Sequence, residues 1–497
     1  MTTSSVGPRL LIIGGGLAGL SAGCYALRSG FRPTIIEHNG ALGGVCTAWQ
    51  RDAYTIDGCI HWLTGGAFSR LYDELGILQR VPLKTLEQFA TYEQVGMGVQ
   101  IAITRDLDAL VRALTDLSPE DGAELSRLRD GARTFVELAP PIDAAEVLTL
   151  RERLRALWEA RGAATTFLHF RQSVGDWARE RLHGAQLRRF FTRIAPESTP
   201  ALFLLMLLGY LERGYLSRPV GGTAAFRDAL AEAYRSAGGE LILPATVQEI
   251  WVEAGRAQGV RLADGTILRS DYVLSTASLP ETVLQLLGGS YDARTTRDRL
   301  TSWRLFDPIV LASFGVEQPY AQFPGLRFID GVPPLEVGGK TNECLYVRVC
   351  NDDPCFAPAG HSVVQVMLQT DYDWWATRGA RYPAEKESVA EAAIAALEPH
   401  FDGFRAAVRL RDVATPLTYW SMARSWRGAY EGWLPTADAV FTHPSKTLAG
   451  LKGLYMAGQW LEPGGGVPMA VLSGRQAVQL LCADAALPFS ARPAPAA

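Results

Sequence analysis

Leu10-Leu-Ile-Ile13-Gly14-Gly15-Gly16-Leu17-Ala18-Gly19, answered downstream by Thr34-Ile-Ile-Glu37, is the stretch whose reading decides the fold. A short apolar strand enters a glycine turn. A small-residue segment, Leu20 to Leu27, leaves it as a helix that ends near Gly30. A second apolar strand then closes on the acid Glu37. Strand, glycine turn, helix, strand and acid come in the order of a dinucleotide-binding βαβ unit. Gly14 allows the tight turn, Gly16 lets backbone approach a pyrophosphate, and Gly19 lets helix and strand pack closely. The helix start offers free N–H groups and a positive dipole end to phosphates. Glu37 can accept hydrogen bonds from ribose hydroxyls, and its charge disfavours a 2′-phosphate. The motif alone leaves FAD and NAD both open.

Composition narrows the rest. The chain has 497 residues, 48 Lys+Arg against 52 Asp+Glu, and a formal net charge of −4. That balance argues against nucleic acid as the main partner. A hydrophobic fraction of 48% with 20% charged residues gives a globular chain rather than a disordered one. Seven cysteines, an odd number spread over a long chain, point to a reducing cytoplasm and not to a disulfide scaffold. No Cys/His spacing suggests a metal site; Cys350 and Cys355 come closest as a pair, without the rest of a motif. The opening apolar run goes straight into glycines, unlike a signal peptide. The longest apolar run, Ala201 to Leu208, stops at Gly209 and is too short to span a bilayer. It reads as a buried helix or as the greasy wall of a substrate tunnel that touches a membrane surface. Residues 486–497 end in Pro and Ala without pattern and are expected to form a flexible tail.

Further motifs follow the fingerprint. Gly43-Gly44 lets a second backbone segment close over the same phosphates. Val45-Cys46 and then Tyr54-Thr-Ile-Asp57-Gly58 come next. In the middle of the chain, Pro219-Val-Gly221-Gly222 opens a helix, and residues 238–275 read as strands with an Asp264-Gly265 hairpin turn. Near the C-terminus, Leu454-Tyr-Met-Ala457-Gly458-Gln459 runs through Pro463-Gly-Gly-Gly466-Val467-Pro468 into a small-residue helix.

Together these segments resemble the phytoene desaturase, carotenoid isomerase and retinol saturase superfamily of flavoproteins. Val45-Cys46 stands where a basic residue usually follows the glycine pair, which leans toward the carotenoid isomerase and retinol saturase branch. The resemblance implies an α/β fold: a Rossmann-like FAD-binding domain of amine-oxidase-like topology with a discontinuous α+β substrate domain. The first would take residues 6–70, 215–290 and 405–485; the second would take 71–214 and 291–404, helical from Asp106 onward. FAD contacts would fall on Gly14, Gly16, Leu17, Ala18, Gly19, Glu37, His38, Gly43, Gly44, Val45, His61, Val247, Gly458, Gln459, Gly466, Val467 and Pro468. Val247 takes the position that usually holds adenine. Arg475, inside the last helix, reads as a structural salt bridge.

No catalytic triad is visible, and in a flavoprotein the cofactor carries the hard chemistry. Candidate catalytic residues are His61, Tyr419 and Arg424. His61 follows the glycine pair in Asp57-Gly-Cys-Ile-His61-Trp62 and can serve as acid or base, or as a structural histidine bonded to backbone. Tyr419, Trp420, Arg424, Trp426 and Glu431 lie where the chain re-enters the flavin domain; aromatics there bracket a flat substrate or pack a core.

A single GxGxxG leaves no dedicated NAD(P)H domain, so electrons would pass to oxygen, a quinone or another acceptor, or there would be no net redox change. Three functions stay open. The first is an FAD-dependent oxidoreductase that desaturates, saturates or isomerises double bonds of a long apolar isoprenoid. The second is an oxidase of a smaller amine or secondary-metabolite substrate, for which Lys340 is a weak candidate. The third is a non-catalytic prenyl-binding escort protein, against which the intact glycine array and Glu37 argue. The expected location is cytoplasmic, peripheral on the inner face of the membrane, with an apolar small-molecule partner and no nucleic acid.

Overall fold

The computed structural model describes residues 7–138, 141–323, 325–437, 439 and 442–492. Five parallel strands form a first sheet in the order Glu240–Ile242, Arg32–Ile36, Arg9–Ile13, Tyr272–Ser275, Leu454–Met456. Its central strand shows why it sits there. Leu10 and Ile12 point into one apolar cluster and Leu11 and Ile13 into another. Successive side chains alternate across a strand, so an unbroken apolar run needs cover on both faces. Helices Leu17–Arg28, Gly222–Ser236 and Gly466–Ala485 cover one face. The antiparallel meander Val247–Glu253, Arg256–Leu262, Ile267–Arg269 belongs to the cluster on the other.

A second, seven-stranded sheet has the order Val408–Ala414, Ile309–Val316, Ser362–Gln369, Lys340–Cys350, Gly325–Val337, Gln88–Gln94, Val99–Thr104. All its pairs are antiparallel except Gly325–Val337 with Gln88–Gln94. Helix Tyr382–Leu397 packs on it through Val389, Ala390, Ala393, Ile394 and Leu397. A run of helices from Leu107–Leu117 to Leu202–Glu212 connects the two regions.

Several expectations change. Val408–Ala414, counted with the nucleotide segments, pairs with Ile309–Val316 in the second sheet. Strands Gln88–Gln94 and Val99–Thr104 precede the helical stretch, where sequence assigned none. The stretch expected to be a loose tail is docked over 486–492. Leu487, Phe489 and Ala491 pack on the core, Arg28 donates to the Ala491 carbonyl at 2.8 Å, and Arg492 pairs with Asp73 at 3.0 Å. Apolar residues at alternate positions anchor it; residues 493–497 lie outside the described ones, as does residue 6, at the start of the first segment. Arg475 is buried and paired with Glu74 at 2.9 Å and Asp143 at 2.6 Å. No helix among the described residues is long and apolar enough to cross a membrane.

Candidate active site

A cavity of about 1390 Å³ opens at the C-terminal ends of the first sheet's strands and continues to the second sheet. That exceeds the roughly 300–1,000 Å³ of an ordinary ligand pocket and leaves room for a dinucleotide and a second molecule. Ligands of open parallel sheets bind outside the carboxyl ends of the strands.

At one end the walls are backbone. Gly16, the residue before helix Leu17–Arg28, bridges Gly43, and the Gly43 N–H donates to the Gly15 carbonyl at 2.9 Å. The second glycine pair therefore folds onto the first turn. Gly14, Gly16, Leu17, Ala18, Gly43, Gly44 and Val45 all line the cavity. Gly19 does not; a Cβ there would run into the Gly14 carbonyl, so its task is the helix–strand approach.

Glu37 is buried. Its carboxylate accepts from the Gly15 N–H at 2.7 Å and the Asn39 N–H at 2.9 Å, and pairs with His38 at 2.9 Å. Burial alone would raise its pKa, but these hydrogen bonds hold it below the ordinary glutamate value. His38 is raised, chiefly by the Glu37 hydrogen bond, and its other nitrogen meets the Ser421 carbonyl at 2.9 Å. Glu37, His38 and Val247 line this end of the cavity.

Gly458, Gln459, Gly466, Val467 and Pro468 also line the cavity, where helix Gly466–Ala485 begins. Neither this helix nor Leu17–Arg28 has a side-chain cap; their N-caps are Gly465 and Gly16. Two sets of orphan N–H groups thus face one cavity, as a dinucleotide requires.

The candidate catalytic residues His61, Tyr419 and Arg424 all line the cavity, and the charge of Arg424 is felt by His38 and Glu281. Arg424 has left-handed backbone (φ 48°) at the end of helix Pro416–Ala423, and its guanidinium lies over the Trp420 ring at 4.2 Å.

Asp57 fixes the path of His61. It accepts from the Thr223 N–H at 2.9 Å and hydroxyl at 2.5 Å, and from the Cys59 N–H at 3.2 Å. The chain then runs Gly58 to Trp62 along the cavity. His61 stacks on Tyr346 (5.5 Å between centroids, 19° between planes) and meets its hydroxyl at 3.1 Å. Burial, then Arg348 and Arg218, hold His61 well below the ordinary histidine pKa, so the ring is neutral.

Beyond the glycines, Trp62, Phe68, Phe89, Phe203, Met206 and Phe328 form an apolar wall, and Arg193, Glu197, Asn342 and Glu343 add polar groups to the lining. The apolar run reads both ways, since Leu204, Leu205, Leu207 and Leu208 of helix Leu202–Glu212 are core while Phe203 and Met206 face the cavity. Lys340 does not line it; it pairs with Asp307 at 3.8 Å. Among the described residues no group of three or more His, Cys, Asp or Glu is placed to hold a metal ion.

Glu431 also lines the cavity. No hydrogen bond or ion pair reaches its carboxyl among the described residues, and burial lifts its pKa from 4.5 to about 7. Sequence located it in the right segment but gave it no role.

The model for the flavin containing amine oxidoreductases matches residues 17–482, and the chain belongs to that family. It is 23% identical over 505 residues to a lycopene-forming phytoene desaturase of Pseudescherichia vulneris, covering 96% of this chain and 99% of that one. It is 23% identical over 524 residues to the chloroplastic prolycopene isomerase of Arabidopsis thaliana, covering 97% of this chain and 84% of that one. The fold is that of a crystallised oxidoreductase from Methanosarcina mazei, with a TM-score of 0.63, 18% identity, and coverage of 95% of this chain and 100% of the other. The protein is an FAD-dependent oxidoreductase.

Proposed function

We propose that this oxidoreductase acts on the double bonds of a long apolar isoprenoid, by desaturation, saturation or cis–trans isomerisation. The observation that carries the reading is the apolar wall of Trp62, Phe68, Phe89, Phe203, Met206 and Phe328 in the cavity that the dinucleotide end opens into. The names of the carotenoid-acting relatives support it. FAD supplies two-electron chemistry once bound. The glycine turns at Gly14–Gly16 and Gly43–Gly44, with Glu37, would hold its phosphates and ribose, and Gly458–Pro468 its flavin side. The chain's own part is to strip water from the substrate, to hold it flat against the aromatic wall, and to move protons.

The test is anaerobic mixing of the yellow holoprotein with phytoene, with lycopene isomers in detergent micelles, and with cyclohexylamine. Bleaching of the flavin, or conversion of a cis polyene by the reduced protein, is expected with polyenes alone. Bleaching by the amine alone would replace this reading with the amine-oxidase one.

An apolar substrate must leave a membrane to enter the cavity, and we propose that helix Leu150–Ala160 meets the bilayer surface. Leu150, Leu154 and Trp158 are 73%, 57% and 66% exposed, and Leu168 nearby is 66% exposed. The spacing 150, 154, 158 is one helical stripe. Arg151, Arg153, Arg155 and Arg161 accompany it against Glu152 and Glu159, a balance suited to anionic headgroups.

A further inference from the structure

We propose that Glu431 is the proton-exchanging group of the cavity, giving a proton to or taking one from substrate carbon. The inference rests on the polyene reading and deepens it. Three observations carry it. First, the carboxyl lines the cavity and has no partner among the described residues. A carboxyl left unpaired away from bulk water costs stability, so it persists where something else compensates or uses it.

Second, the backbone makes room for it. Gly465 has φ +56°, and a Cβ there would run into the Glu431 carbonyl and come within 3.0 Å of its Cβ. The three-glycine turn therefore seats Glu431 at the uncapped start of helix Gly466–Ala485, with its Oε1 3.9 Å from the place a Cβ on Gly466 would take.

Third, its neighbours cannot replace it. Cys59 is pushed up by its hydrogen bond with Cys46 and by burial. Tyr346, on the second sheet, and Tyr430 are pushed up by burial. His61 is held neutral. Tyr419, against Tyr430, is likewise pushed up by burial; Arg304 and Asp307, ahead of strand Ile309–Val316, and Glu197 also line the cavity, as do Arg193 and Glu343, which pair with each other at 3.1 Å. Of this set, Glu431 alone has a pKa moved close to neutrality, at about 7, where an acid and its base are both present.

The chemistry balances. Removing two hydrogens across a carbon–carbon bond removes a hydride and a proton. The hydride half belongs to the oxidised cofactor. The proton goes to the Glu431 carboxylate while the C–H electron pair becomes the second bond of the new double bond. Saturation is the reverse, with the neutral acid as proton donor. In isomerisation the acid protonates one polyene carbon, the former π pair forms the C–H bond, the delocalised cation rotates, and the same carboxylate takes the proton back with no net redox change.

The experiment uses Glu431→Gln as the FAD-loaded protein beside wild type. Infrared titration should show a protonated-carboxyl band in wild type that disappears between pH 6 and 8 and is missing from the variant. With lycopene isomers or phytoene, the variant should keep full FAD occupancy and lose at least about 100-fold in kcat, the usual size of a general acid or base effect. It should also lose deuterium uptake into substrate from heavy water. Equal turnover and equal deuterium uptake in the variant would overturn the inference while leaving the polyene reading intact. Absence of a titrating band in wild type would overturn it whether or not the variant folds. A band present in wild type and lost in the variant, with no polyene turned over by either, would sink the polyene reading and uphold Glu431 as the cavity's acid.

Discussion

The two ends of the cavity are built from different material. The dinucleotide end is main chain: glycine turns, uncapped helix starts, and one acid held by neighbouring N–H groups. The substrate end is side chains brought by segments far apart in sequence, Trp62 and Phe89 from one part, Phe203 and Met206 from another, Phe328, Tyr346 and Glu431 from a third. Recognition by backbone demands particular residues in a fixed local order. Recognition by side chains demands only that distant segments meet. The first end should therefore fail abruptly when changed, and the second should change its chemistry while the fold survives.

Gly19→Val tests the abrupt end with the largest effect. Its side chain would strike the Gly14 carbonyl and Ile12. A cost of about 3 kcal/mol or more is expected, at the top of the range for overpacking. Little yellow protein should survive purification, whereas Phe203→Leu, at the other end, should give normal yield and flavin content. Equal yields of the two variants would break the contrast.

Glu37→Ala comes next. It strips the acceptor from the Gly15 and Asn39 N–H groups and the partner from His38. Charged hydrogen bonds contribute roughly 1.5–3 kcal/mol each, so FAD should be held about 10- to 150-fold more weakly in a fluorescence titration of apoprotein. Unchanged affinity would mean that the acid serves only its own loop.

The same contrast governs how much could be read beforehand. The glycine turns, Glu37 and the Gly458–Pro468 turn were legible as contiguous patterns whose residues have local reasons to be there, whereas Val247 came only through the family resemblance. Val99-Gln-Ile-Ala-Ile-Thr104 carried a strand signal too, since Val99, Ile101 and Ile103 are buried while Gln100 and Ala102 are exposed, and the alternation shows in the sequence. Val408–Ala414 was counted with the nucleotide segments by its place in the chain, and strand pairing is long-range: nothing in Val-Arg-Leu-Arg-Asp-Val-Ala names Ile309–Val316 as its partner. Glu431 gave no local sign of its state, because an elevated pKa is made by the segments that bury it.

Stability against pH sharpens the substrate end. Glu431 moves from 4.5 to about 7 on folding because the folded chain buries its charge. Between those values the native state binds more protons than the unfolded one, so stability falls as pH rises through the window, and the loss is complete above about 7. Its size is on the order of 3 kcal/mol. Glu431→Gln should match wild type in denaturant unfolding near pH 4.5 and exceed it at pH 8.5. A gap that does not grow with pH would mean that the carboxylate finds a partner.

The smallest expected effect on stability belongs to the surface helix. Leu154 and Trp158 are exposed, so Leu154→Glu with Trp158→Glu removes no core packing and should shift stability by no more than about 0.5 kcal/mol. Membrane affinity should fall far more, because buried apolar area and attraction between arginine and anionic lipid drive interfacial binding together. Cosedimentation with phosphatidylglycerol vesicles is expected for wild type, reduced with phosphatidylcholine vesicles and lost in the double variant. If both proteins also turn over a polyene dissolved in detergent at equal rates, while the variant alone slows when the polyene is in vesicles, the helix governs delivery and the cavity governs chemistry. Equal binding by variant and wild type would leave the exposed leucines and tryptophan without a lipid partner and would move the entry route to another face.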